Sequence, residues 1–130
     1  MFARALFLAS ALLFSGSAMA NPVEPAEKAA MQSAMFQHID RQLVEGRYYD
    51  VNLKSGDVRP LVPQKNHPMV LRMGEHYVLC TDFKTASGDS VNVDFYASRR
   101  GKSFVIFRTE IDNRSPLEAL MKAGKVTMTE

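Results

Sequence analysis

Apolar residues recur every fourth position at Met31, Met35, Ile39 and Leu43, with Phe36 beside them. Ser33, Gln37, Asp40 and Arg41 fall on the other side, so residues 26–44 read as an amphipathic helix of about 20 residues. Pro25 suits its first turn and Gly46 its end. After Gly46 the period changes to two. Tyr49, Val51 and Leu53 alternate with Tyr48, Asp50, Asn52 and Lys54, the pattern of a half-buried strand. A turn at 55–57 leads into 58–62, where Pro60 favours an edge position.

Further strands are expected at 69–73, 76–83, 91–97 and 103–111. Tyr77, Leu79, Thr81 and Phe83 share one face, as do Val91, Val93, Phe95 and Ala97. Arg99, Arg100, Gly101 and Lys102 form a hairpin tip. Ser115, Pro116 and Glu118 spell a capped start to a short second helix that Gly124 closes, and residues 125–129 can add a last strand. The expected fold is α+β: a long N-terminal helix on a curved antiparallel sheet of four to six strands, with a short C-terminal helix. This element order is similar to the cystatin-like and nuclear-transport-factor-like architectures.

Residues 1–20 change the picture by address. Arg4 is followed by an uncharged apolar run over 5–14 and by small residues at Ala18 and Ala20, the layout of a cleavable secretory signal. The run is shorter than the roughly 20 apolar residues of a spanning helix. No cysteine follows the cleavage point to carry a lipid. The expectation is a periplasmic, non-lipidated protein whose single domain covers 21–130.

Removing Arg4 from the 16 Lys and Arg leaves 15 against 14 Asp and Glu, a net charge of +1. Such a chain has no electrostatic footprint for nucleic acid. Membrane contact, if it occurs at all, is peripheral and would use the basic tip at 99–102. Cys80 is the one cysteine, so no internal disulfide can form, and it reads as a small buried apolar residue. His38, His67 and His76 are scattered without metal-site spacing. The methionines after residue 20 read as packing groups rather than copper ligands. No metal and no cofactor are expected. Asn113-Arg114-Ser115 has the spacing of a glycosylation sequon, but Pro116 follows and Ser115 serves better as a cap.

Alternation places the remaining chemistry on one sheet face. Asn92, Asp94 and Tyr96 share a side of one strand, Arg108 and Glu110 share a side with Phe104 and Ile106, and His76, Cys80 and Asp82 share a third. The candidate ligand- or partner-binding residues are Asp94, Tyr96, Arg108, Glu110 and Asp82, with Asp94 and Arg108 close enough across the hairpin to pair. Plain alternation offers a simpler account, the solvent face of an antiparallel sheet. No nucleophile elbow, phosphate loop, dinucleotide fingerprint or paired-carboxylate motif occurs, and no catalytic residue is assigned. The expected function is therefore binding: an inhibitor, an immunity-type protein or an accessory factor acting on another envelope or secreted protein. The alternative is a carrier or enzyme with a pocket between helix and sheet.

Overall fold

A computed structural model of the chain describes residues 22–129. The expected secretory signal at 1–20 lies outside the described residues. Helix α1 spans Pro25–Asp40 and helix α2 spans Ser115–Lys122. Between and after them run β1 (Tyr48–Val51), β2 (Val58–Pro63), β3 (Met69–Met73), β4 (His76–Lys84), β5 (Ser90–Arg100), β6 (Ser103–Ile111) and β7 (Thr127–Met128). The fold is α+β, with seven antiparallel strands among the described residues.

Several expectations need correction. The first helix is 16 residues and stops at Asp40, short of Val44. Its end tightens through Gln42 N–H to Ile39 O at 2.9 Å and Leu43 N–H to Asp40 O at 3.3 Å. The chain then reverses at Glu45 and Gly46, both in the left-handed region (φ 53° and 77°), while Val44 and Arg47 exchange backbone bonds of 2.9 and 3.1 Å. Gly46 therefore serves a reverse turn rather than a helix stop. The count of four to six strands is too low. The Pro60 segment pairs with β1 and touches β4, and residues 127–128 pair with β3.

Strands β4, β5 and β6 form the continuous part of the sheet, with Cys80 opposite Asp94 and Asp94 opposite Glu110. The other edge of β4 is shared. β3 lies against 76–80, and the last residues of β2 lie against Phe83 and Lys84.

Both faces of the sheet are covered at its centre, along β4 and β5. On one, Met31, Met35 and Ile39 of α1 pack on Leu79, Phe83, Val93, Phe95, Phe104 and Ile106. Leu43, beyond the helix, is only half-buried against this core. On the other face, Leu71, Val78, Cys80 and Tyr96 form a smaller core with Leu117 and Val126. Ser115 does not cap α2; Arg114 precedes the helix in helical backbone geometry and no side chain caps it. At the far end, Gly124 (φ 72°) lets Lys125 N–H reach Leu120 O at 2.9 Å and Gly124 N–H reach Met121 O at 3.0 Å, a Schellman closure that brings Val126 back onto the sheet.

Candidate functional site

The polar residues singled out along β4, β5 and β6 do meet on one face, for a reason alternation alone cannot supply. The register between β5 and β6 shifts between Tyr96 and Ala97, so Tyr96 stands opposite Arg108 while Ala97 stands opposite Ile106. Phe107 is the extra residue of a β-bulge. Phe104 and Ile106 therefore face α1, whereas Arg108 and Glu110 face the α2 side, not the same side as expected. The bulge aligns Cys80, Asp94 and Glu110 in one row and Val78, Tyr96 and Arg108 in the next. Asp82 stands opposite Asn92 and is exposed.

The expected Asp94–Arg108 pair does not form. Asp94 is 1% exposed. Its two oxygens accept bonds from Arg114, from Nη2 at 2.7 Å and from Nε at 3.3 Å. Arg114 sits just before α2, so this forked pair fastens the helix start to the centre of β5. Arg108 is largely exposed and turns to Glu110, donating from Nε at 2.7 Å. Glu110 also accepts from Asn113 at 2.9 Å. The Asn113 amide, with Arg108 beside it, holds the Glu110 carboxyl below the usual carboxylate range, although partial burial pushes the other way. The Tyr96 phenol is pushed up by burial and then by Asp94 and Glu110.

This face is a structural joint. The Asp94 carboxylate is buried and engaged on both oxygens. Burial, reinforced by Asp94, pushes the Cys80 thiol up to about 12, which leaves it protonated and a poor nucleophile. Unfolding returns the thiol to an ordinary value near 9. Between about pH 9 and pH 12 the native state thus holds a proton the unfolded chain has lost, and stability falls as pH rises. Tyr48 and Tyr96, both raised mainly by burial, add to the same trend above about pH 10. In alkaline denaturation series, Cys80→Ala is expected to flatten the decline that begins near pH 9. A slope unchanged in the variant refutes the raised thiol.

The feature missed by sequence reading lies on the β1–β2 ribbon. Its apolar alternation faces outward. Tyr48 is buried edge-on against Phe83, with ring centroids 5.4 Å apart, and pairs in register with buried Leu61. Asp50 follows on that side and accepts from Arg59 at 3.0 Å, and Arg59 also reaches Asp112 at 3.5 Å. The opposite side carries Tyr49, Val51, Val58 and Val62, all substantially exposed, with Leu53 90% exposed near the turn. Val51 stands across from Val58, and Tyr49 across from Pro60. The turn is well tied: Asn52 Oδ1 accepts from Lys54 and Ser55 N–H at 2.9 and 3.2 Å, and Gly56 N–H reaches Asn52 O at 2.7 Å. β1 pairs only with β2 among the described residues.

Val62 also borders a groove of about 450 Å³ between α1 and β2, walled by Phe36, Ile39, Leu43 and Pro63. His67 Nδ1 lies 2.9 Å from Gln32 Oε1 across it. Neither Asp94 nor Arg108 lines this groove. His38, His67 and His76 stay apart, and no group of three or more His, Cys, Asp or Glu able to hold a metal occurs among the described residues. No helix among them is long and apolar enough to cross a membrane. No protein-family model, curated protein or solved structure matches the chain.

Proposed function

We propose that the protein is a small exported binding protein that engages another envelope or secreted protein through the outward face of the β1–β2 ribbon. The observation that carries this reading is the apolar stripe of Tyr49, Val51, Leu53 and Val58 on a ribbon whose turn is tied by Asn52. Soluble monomers rarely leave a contiguous apolar patch uncovered. A tied turn also lowers the ordering cost of association. The free edge of β1 suits a partner that offers an extended segment of its own. The leader-like pattern at 1–20 supports the periplasmic assignment. An inhibitor, an immunity-type protein or an envelope accessory factor all fit this chemistry. The helix-first order, with α1 packed across one sheet face, supports the cystatin-like or nuclear-transport-factor-like reading of the architecture.

The test is capture from an envelope fraction by the tagged chain 21–130, side by side with a Val51→Ser/Leu53→Ser variant. Both side chains are exposed, so the thermal melt is expected to move little. A partner held by the parent chain is expected to be released by the variant, through at least a tenfold loss of affinity. Capturing nothing, or capturing the same protein equally with both chains, overturns the reading.

The groove between α1 and β2 supports a second reading, a carrier for a small apolar ligand bound among Phe36, Leu43 and Val62. Displacement of a hydrophobic fluorophore that is sensitive to Phe36→Ser, but not to the ribbon variant, would favour it.

A further inference from the structure

On the far side of α1 from the apolar groove, a second cleft of about 350 Å³ separates the helix from β6. Its helix wall is Ala30, Ala34, Gln37 and Arg41, and its sheet wall is Ser103 to Ile106. β6 pairs only with β5 among the described residues, so this wall is a sheet edge. Phe104 and Ile106 are buried beneath it and give the cleft an apolar floor.

The charged residues that line the cleft are all of one sign. Arg100 and Lys102 line it from the hairpin tip and Arg41 from the end of the helix, and none of the three makes an ion pair among the described residues. Their neighbour Arg99 is already taken by Glu27. That contact places the tip beside the first turn of α1, while His38, 3.5 Å from Thr109, places the last turns beside the end of β6, past the Phe107 bulge. The cations therefore stand at opposite ends. From Ala30 to Arg41 the helix rises about 16 Å. An extended chain covers that distance in about five residues at roughly 3.3 Å each. The Phe107 bulge ends the regular edge just beyond Ile106, which limits pairing to a short segment.

We infer that this cleft accepts a short extended peptide with acidic residues at both ends, which adds as a strand to 103–106 of β6. Main-chain bonds to the free edge supply the attachment, and Arg41, Arg100 and Lys102 choose the sequence. The same cations repel basic strands, and the bulge stops indiscriminate pairing along the edge. This site is separate from the β1–β2 ribbon, and its test uses a defined peptide rather than a captured partner.

The probe is a fluorescein-labelled peptide of about ten residues, alternating valine and threonine, with two glutamates at each end. Fluorescence anisotropy with the purified chain is expected to show binding that weakens as salt is raised. Arg100→Glu/Lys102→Glu and, separately, Arg41→Glu are each expected to weaken it at least tenfold. Lys125→Glu, beyond α2 on the other sheet face, is expected to change nothing. Amide shifts are expected at Ser103 to Ile106. A peptide ending in lysines, or one methylated on alternate backbone nitrogens, is expected not to bind. The inference is overturned by absence of binding, by equal binding of the lysine or N-methylated peptide, or by indifference to both charge reversals. Vesicles containing phosphatidylglycerol that bind the chain where the peptide does not would assign the cations to a lipid surface and overturn it equally.

Discussion

Arg114→Leu is expected to cost about 3–5 kcal/mol, the range for stranding one member of a buried ion pair. The asymmetry of the pair decides the size. The Asp94 side chain is 2% exposed, whereas that of Arg114 is 29% exposed. Removing Arg114 strands a carboxylate in the middle of β5, beside Cys80 and Tyr96 and with Glu110 in register. Water cannot readily reach it. Removing the carboxylate instead leaves a guanidinium that can turn toward solvent, so Asp94→Asn is expected to cost less, about 1–3 kcal/mol. Adding Asp94→Asn to Arg114→Leu is expected to restore much of the loss, because no unpaired charge stays buried. Arg108→Gln removes an exposed pair with Glu110 and is expected to fall within about 1 kcal/mol. Urea denaturation of the four variants checks the series. A cost for Arg114→Leu no greater than that for Arg108→Gln would show that α2 is not fastened through Asp94.

Phe83→Ala is expected to be comparably damaging, at about 3–5 kcal/mol. Phe83 is fully buried, lies edge-on to Tyr48, and packs on Phe95 at 6.2 Å. It also pairs in register with Pro63, where the ribbon joins the sheet. The cavity therefore opens at the root of the β1–β2 ribbon. Amide exchange is expected to accelerate more in 48–63 than in the middle of β5. Uniform acceleration across both would mean that the ribbon and sheet open as one unit.

Much of the fold was legible because the chain obeys local rules over long stretches. The Met31, Met35, Ile39 stripe, the alternation from Tyr77 to Ala97 and the tight tip at Gly101 each announce one element and one buried face. Three features were not legible, and each is a non-local choice. The helix stops at Asp40, where its end tightens and the chain then reverses at Glu45 and Gly46, although residues 41–44 would continue a helix well. The bulge at Phe107 leaves no trace in a strand that is apolar at four consecutive positions, yet it decides which way Arg108 and Glu110 point. Hydrophobicity alone points to Tyr49, Val51 and Leu53 for the ribbon's inner face. Tyr48 takes that place because its ring fits against Phe83, and Asp50 can follow because Arg59 meets it. The sequence suggests Arg108, across the hairpin, as the partner of Asp94, and nothing in it singles out Arg114, which only the folded start of α2 brings to the carboxylate.

The attachment of the ribbon has a mechanical side. Among the described residues its only ladder to the sheet is Val62 against Lys84 and Pro63 against Phe83, whereas β4 and β5 are laced from Tyr77–Ala97 to Lys84–Ser90. Tension applied at Leu53 loads that short seam from one end, with only Tyr48, Leu61 and the Arg59–Asp112 contact to back it. The same tension along β5 must shear its whole ladder at once. A bound partner that pulls on the ribbon would lift it as a flap while the sheet beneath keeps its shape.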